Sequence, residues 1–477
     1  MTCNRLWLDL SDVTRFFAAH ARPTGIQRFS LETARALAAS GGPVRFCATS
    51  PQGWRELDFA GLSAAIAALS AAPLPTPAAR TTRAHTASPW PAPLIALARR
   101  LPWAPRLALG RLARAGLETA HAAGALGRVL IQPRHWHEAG LGGRTFHLGP
   151  ARFAPGDWLV GLGASWESPP SPDERARLRA LGVRLGFAVH DLIPLLRPEY
   201  CLPAQGRALA AWLDGAAREA DMLFAVSRHT AADARARLGA AAPPMTVLPM
   251  GGGPLAAPPD ARRVPKEPFV LMVATFEARK NHAGALRLWR LLLSQGGAVP
   301  KLVLAGRRGW LADDVLAQIA ASEGLGGRVE VIEQPSDAEL RALYQACLFS
   351  LFPSFYEGWG LPVSEALAHG VPVLASSASA IPEAGGAFCA YFDPDHLAEA
   401  ARLARLWLDQ PDELAALKAR IRAQYRPLSW QFTARALVAA LNAPAPEPGL
   451  AGAADHEARP DQLHQQHQPE QASPPRR

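Results

Sequence analysis

A chain of 477 residues, 49% of them hydrophobic, is long enough for two ordinary domains with segments left over. Its 50 Lys and Arg against 41 Asp and Glu leave a charge of +9 with no long basic run, which favours anionic ligands or a membrane surface over nucleic acid. Cys3, Cys47, Cys201, Cys347 and Cys389 lack any Cys-x-x-Cys spacing and read as reduced thiols. With no leader and no stretch of about 18 apolar residues, the expected location is cytoplasmic, at most at the inner face of the membrane.

Residues 6–10 read as a first strand and 11–28 as a loop that ends in Pro23-Thr24-Gly25-Ile26-Gln27-Arg28. A helix over 29–39 follows, with Leu31, Ala34, Leu37 and Ala38 on one face. Strand, loop and helix make a Rossmann-like start. Thr24 or Gly25 could present backbone N–H groups to a phosphate there, while Arg28 reads equally as a ligand contact or a surface residue. After a strand over 44–49, residues 57–127 turn rich in Ala, Pro, Leu and Arg and read as an insertion. Within it, 94–114 carries Arg99, Arg100, Arg106, Arg111 and Arg114 without an acidic residue, near Trp90 and Trp103. Such a piece can lie on anionic lipid, or it is a solvated low-complexity segment.

Strands are expected over 157–166 and 184–189, the second delivering His190-Asp191 to a strand's carboxyl end, where open α/β sheets place ligands. His190 is a candidate hydrogen-bonding partner for a sugar hydroxyl; the alternative is a turn histidine beside a capping Asp191. A helix over 209–220, a strand over 221–227 and a helix capped by Ser227 complete an N-terminal domain over 1–253. Residues 254–268, rich in Pro and Ala, read as the linker.

A second Rossmann-like domain spans 269–428. Its first strand, 269–274, leads to Arg279 and Lys280 in a βα loop, two cations suited to a diphosphate. Strands at 301–306, 329–333 and 348–352 alternate with helices, and then comes Glu357-Gly358-Trp359-Gly360-Leu361-Pro362, which opens a helix carrying Glu365. Glycines let the backbone approach a ligand, and unpaired N–H groups with the helix dipole make an anion site around Gly360 and Leu361. Glu357 and Glu365, seven residues apart in between, can grip different hydroxyl-bearing parts of one ligand. A helix over 429–441 and a polar 443–477 tail, expected to be disordered, follow. Asp393-Pro394-Asp395 sits in the wrong place for a metal-binding pair, and no catalytic metal is expected.

The Glu-x7-Glu unit, with its Tyr-Glu-Gly-Trp-Gly-Leu-Pro core, closely resembles the signature of the GT4-group retaining glycosyltransferases (glycosyl transferases group 1) of GT-B fold. Glu277-x-Arg279-Lys280-Asn281, His190-Asp191-x-x-Pro194 and Pro382-Glu383-x-x-Gly386 resemble further segments of that family, strongly over 270–441 and more weakly before. The resemblance implies two Rossmann-like domains facing across a cleft, and transfer of a sugar from a GDP- or UDP-linked donor to a lipid-linked or oligosaccharide acceptor. It implies a diphosphate held by Arg279, Lys280 and the helix amides after Leu361, donor-sugar hydroxyls on Glu357, the sugar near His190, the ribose on Glu365 and the base near 334–337. No cofactor is expected beyond the donor. A mannose-like hexose and bacterial surface polysaccharide are the favoured substrate and pathway. The alternatives are a sugar-nucleotide 2-epimerase and a non-catalytic polysaccharide-assembly protein.

Overall fold

The computed structural model describes residues 5–50, 52–71, 146–167 and 170–443. The basic 94–114 piece, Cys3 and the tail from 444 lie outside them. Two sheets organise the chain, one of eight strands in the order β4-β3-β2-β1-β5-β6-β7-β8 and one of six in the order β11-β10-β9-β12-β13-β14.

The first sheet holds β1 (Leu6–Asp9), β2 (Val44–Ser50), β3 (Gly53–Leu57), β4 (His147–Pro150), β5 (Trp158–Gly161), β6 (Arg184–Val189), β7 (Met222–Ala225) and β8 (Met245–Val247). It is parallel except at its β2-β3-β4 edge. The second is parallel throughout: β9 (Phe269–Val273), β10 (Lys301–Gly306), β11 (Val329–Glu333), β12 (Ser350–Phe352), β13 (Val373–Ser376) and β14 (Cys389–Phe392).

Parallel strands covered by helices on both faces read as continuous apolar runs, and β9 shows why. Val270 and Met272 pack with Trp289 of helix His282–Ser294 on one face. Phe269 and Leu271 join Tyr344 and Val363 on the other, following the two-residue period of a strand. In the first sheet Trp7 packs with Leu159, Leu185 and Leu223, and its Nε1 donates to the fully buried Asp157 Oδ2 at 3.1 Å.

Several stretches depart from expectation, among them the helix Pro203–Glu219, which starts at 203 instead of 209. Residues expected as loop form the helix Ser11–Ala19, which buries Val13 and Phe17; the next helix starts early, at Gly25 instead of 29. Phe59–Ala71, inside the segment read as an insertion, is a helix that buries Phe59, Leu62 and Ile66. Its Ala-rich composition concealed those three apolar positions.

The terminal helix Trp430–Asn442 returns to the N-terminal half. Thr433 Oγ1 donates to Pro249 O at 2.8 Å, and the Trp430 ring lies 6.2 Å from that of Phe29. Gly251 admits this contact, since a Cβ there would lie 2.6 Å from the indole and 2.8 Å from Trp430 Cα. Gly251→Val is expected to destabilise the protein by about 1–3 kcal/mol through overpacking, measured as a lowered unfolding midpoint.

Candidate active site

Open α/β sheets bind ligands beyond their strands' carboxyl ends, where the strand order reverses. In the second sheet that point lies between β9 and β12, because successive strands go outward from β9 to β11 on one side and from β12 to β14 on the other. β9 runs into the 3-10 turn Ala278–Lys280, and β12 into the glycine-rich loop 353–360. Backbone and side chain stitch the loops together: Phe355 N–H donates to Arg279 O at 2.9 Å and Asn281 Nδ2 to Pro353 O at 3.1 Å.

Between the loops lies Glu357. Its Oε2 is 2.6 Å from Arg279 Nη1 and its Oε1 2.5 Å from Lys280 Nζ. Arg279 also donates to Tyr356 O at 3.2 Å, and its Nε lies 3.1 Å from Glu277. Glu357 N–H donates to Ser379 Oγ at 2.8 Å, which fixes the backbone on its other side. Glu357 is 6% and Lys280 8% exposed, so the charges act on each other through little water. Burial alone would raise the Glu357 carboxyl; Arg279 and Lys280 outweigh it and hold the group at about 2. Burial and the charge of Arg279 push Lys280 down, while Glu357 and Glu277 overcome burial to raise Arg279.

His190, from the first sheet, meets the loop that carries Glu357 through its backbone, while its ring lies 5.4 Å from that of Phe29 and 6.1 Å from that of Trp166. It follows β6, is buried, and its Nε2 donates to Leu162 O at 2.7 Å, which leaves Nδ1 as the unprotonated nitrogen of the neutral ring. Burial pulls its pKa down to about 4, so the ring is neutral at pH 7. Gly358 presses on its backbone: a Cβ at 358 would lie 1.8 Å from His190 O. Asp191 accepts from Ile193 N–H at 3.0 Å and is raised by burial against the pull of Arg279.

The helix Leu361–Ala368 starts from Gly360 at φ 119°, a backbone conformation that disfavours a side chain. The structure corrects the expectation that amides after Leu361 serve an anion. Pro362 has no N–H, and the N–H groups of Val363 and Ser364 turn back to Gly360 O at 2.9 and 3.4 Å. An anion at this end would meet the Leu361 amide. Gly25, first residue of the helix Gly25–Ala39, faces the same place, with a Cβ position 3.4 Å from Leu361 Cδ1.

Glu365 lies further along, 8% exposed, 3.4 Å from the Tyr344 hydroxyl and 3.8 Å from Arg28 Nε. Burial raises its pKa, Arg28 opposes that, and Asp337 adds to it. The sequence reading left Arg28 open and named Asp337 only as the end of a base-binding loop; they form a forked pair at 3.0 and 2.7 Å. Two other groups went unseen. Glu383 accepts from the Arg228 and His229 amides at 2.9 and 2.8 Å, and Tyr356 Oη donates to Asp233 Oδ2 at 2.6 Å, both tying the second half to helix Arg228–Leu238. The quoted Pro-Glu and Tyr-Glu-Gly motifs contained Glu383 and Tyr356, but their partners are more than 120 residues away. Among the described residues, no group of three or more His, Cys, Asp or Glu is placed to hold a metal ion.

Two parallel α/β sheets that meet at their carboxyl edges over this charged crevice define the GT-B class of fold. The model of the family described as glycosyl transferases group 1 matches residues 257–424. Serotype-specific mannosyltransferase WbdA of Escherichia coli is 29% identical over 249 residues, 48% of this chain and 30% of that protein. O-antigen chain mannosyltransferase B of Escherichia coli is 36% identical over 165 residues, 34% of this chain and 42% of that protein. The chain thus spans less than half the length of these curated relatives. Sucrose-phosphate synthase from Thermosynechococcus elongatus shares the fold at a TM-score of 0.54 and 18% identity, over 91% of this chain and 99% of that one.

The depressed Glu357 value has a consequence for stability. The folded value, about 2, lies below the ordinary glutamate value of 4.5. The stabilisation is therefore full above the ordinary value and is lost as pH falls through about 2. Glu357→Gln is expected to be less stable than the wild type at neutral pH and to lose less on acidification from about pH 5 to about pH 2, as read by denaturant unfolding across that range.

Proposed function

We propose that the protein is a retaining glycosyltransferase that moves a hexose, mannose favoured, from a GDP- or UDP-linked donor to an acceptor hydroxyl in bacterial surface polysaccharide synthesis. The observation that carries this reading is the buried Arg279–Glu357–Lys280 cluster at the reversal of the second sheet, with the backbone of His190, from the first, against the loop that carries Glu357. The mannosyl and O-antigen activities in the relatives' names support the sugar and the pathway.

In this reading the donor diphosphate lies between Arg279, Lys280 and the Leu361 amide, Glu357 accepts from donor-sugar hydroxyls, and Glu365 accepts from the ribose. Glu357 already holds both cations, so they are oriented before the donor arrives and cost little rearrangement when phosphate charge develops. His190, kept neutral at pH 7 by burial, can pair with a sugar hydroxyl through its free ring nitrogen. As the bond from the anomeric carbon to the diphosphate breaks, the acceptor oxygen bonds to the same face. Its proton passes to the departing phosphate oxygen. Stabilisation of that phosphate is then the main catalytic contribution, and the reading needs neither a metal nor another cofactor.

A calorimetric panel of GDP, UDP and ADP with their sugar derivatives, with and without EDTA, checks the donor. One nucleotide series is expected to bind, indifferent to EDTA, and Glu365→Ala to weaken it. Transfer from the matching sugar nucleotide to a lipid-linked or oligosaccharide acceptor is expected to fall about 10²–10³-fold in Arg279→Ala, with the fold retained by circular dichroism. Donor epimerisation without an acceptor, or no nucleotide binding at all, would refute the transferase reading.

A further inference from the structure

Arg28 belongs to the N-terminal half, as the fourth residue of the helix Gly25–Ala39, yet its guanidinium ends in the other half. Nη1 and Nη2 fork onto both oxygens of Asp337 at 3.0 and 2.7 Å, and Nε stands 3.8 Å from Glu365. The Arg28 side chain is 17% exposed and that of Asp337 42%, so the fork is buried at its arginine end. Its target is rigid. Asp337 opens the helix Asp337–Ala346, whose start is locked by a reciprocal Ser336 and Glu339 capping box.

Arg28 faces two carboxylates, Asp337 and Glu365; Arg22 adds a second cation on the Asp337 side, while Glu365 has the neutral Tyr344 phenol as its other neighbour. A carboxylate in that position has acceptor capacity left for hydroxyl donors. Gly25 lies three residues before Arg28 on the same helix and meets Leu361, so the helix that carries Arg28 also borders the phosphate end of the crevice.

Resting on the donor reading above, in which Glu365 accepts from the ribose, we propose that Arg28 is a positioning residue for the ribose. It reaches across the crevice to orient Glu365, and so ties occupation of the ribose site to apposition of the two halves. Arg28 from its helix, Asp337 and Tyr344 from the helix Asp337–Ala346, and His369, stacked on Tyr344 at the end of the Glu365 helix, are the charged and titratable groups around the carboxyl. Among them Arg28 opposes the burial of Glu365, and Asp337 acts the other way. Without Arg28 the carboxyl takes up a proton more readily and accepts ribose hydrogen bonds less strongly.

The test is calorimetry of a ribonucleoside diphosphate of the base that binds, and of its 2′,3′-dideoxy analogue, on the full chain as wild type, Arg28→Ala, Arg28→Lys and Asp337→Asn. The wild type is expected to prefer the ribose form by about tenfold or more. Arg28→Ala is expected to lose that preference by weakening the ribose form alone, and to regain part of it as pH rises, because burial unopposed by Arg28 raises the Glu365 carboxyl further. Arg28→Lys and Asp337→Asn, which keep a cation without the fork, are expected to fall between. An unchanged ribose preference in Arg28→Ala, or an equal and pH-independent weakening of both nucleotides, would overturn the role of Arg28 while leaving the donor reading intact. A wild type that binds no nucleoside diphosphate would overturn the donor reading itself, and this inference with it.

Discussion

Glu357 stands between Arg279 and Lys280 with almost no water around it, and the rest of the crevice is arranged about that cluster. Burying charges is costly, and a buried pair survives only when geometry is close and the remaining polar atoms are satisfied. Each loop supplies part of the solution: the Arg279 carbonyl takes the Phe355 amide, Asn281 binds Pro353 O, and Ser379 receives the Glu357 amide. A hydrophobic trio of similar volume would fold at lower cost. In the proposed reaction, the oriented pair of positive groups is what a departing phosphate requires.

The same crevice demands close approach between the two halves. Gly358 touches His190 O, Gly25 touches Leu361, and Arg28 spans from one half to Asp337 of the other. Glu383 accepts from the first amides of the helix Arg228–Leu238, and Tyr356 binds Asp233 of the same helix. Glycine at 25 and 358 thus serves distance instead of turn geometry: neither shows a positive φ, unlike Gly360.

Strands were the most legible part of the chain. β6, β10 and β11 coincide with the expected 184–189, 301–306 and 329–333; β6 and β10 read as the near-continuous apolar runs of parallel strands covered on both faces, and the edge strand β11 as the β-branched stretch Val-Glu-Val-Ile-Glu. Helices with weak contrast were not. Ser11–Ala19 carries Ser, Asp, Thr, Arg and two adjacent phenylalanines, a composition that also suits a loop, and only packing of Val13 and Phe17 against the core selects the helix. Phe59–Ala71 fails for the opposite reason, being apolar nearly all round, with Phe59, Leu62 and Ile66 set among alanines.

By itself the sequence determined the chemistry available: Arg279 and Lys280 after one strand, Glu357 and Glu365 around a glycine-rich helix start, His190 after another strand. It did so because a strand's carboxyl end and a helix's first turn are local features, readable over about ten residues. Tertiary structure decided the pairing. Arg279 and Lys280 reach Glu357 across 78 and 77 residues of chain, and Arg28 reaches Asp337 across 309. Electrostatic attraction and hydrogen bonding depend on separation in space and on the water removed between the groups, and neither quantity is written in the order of residues along a chain.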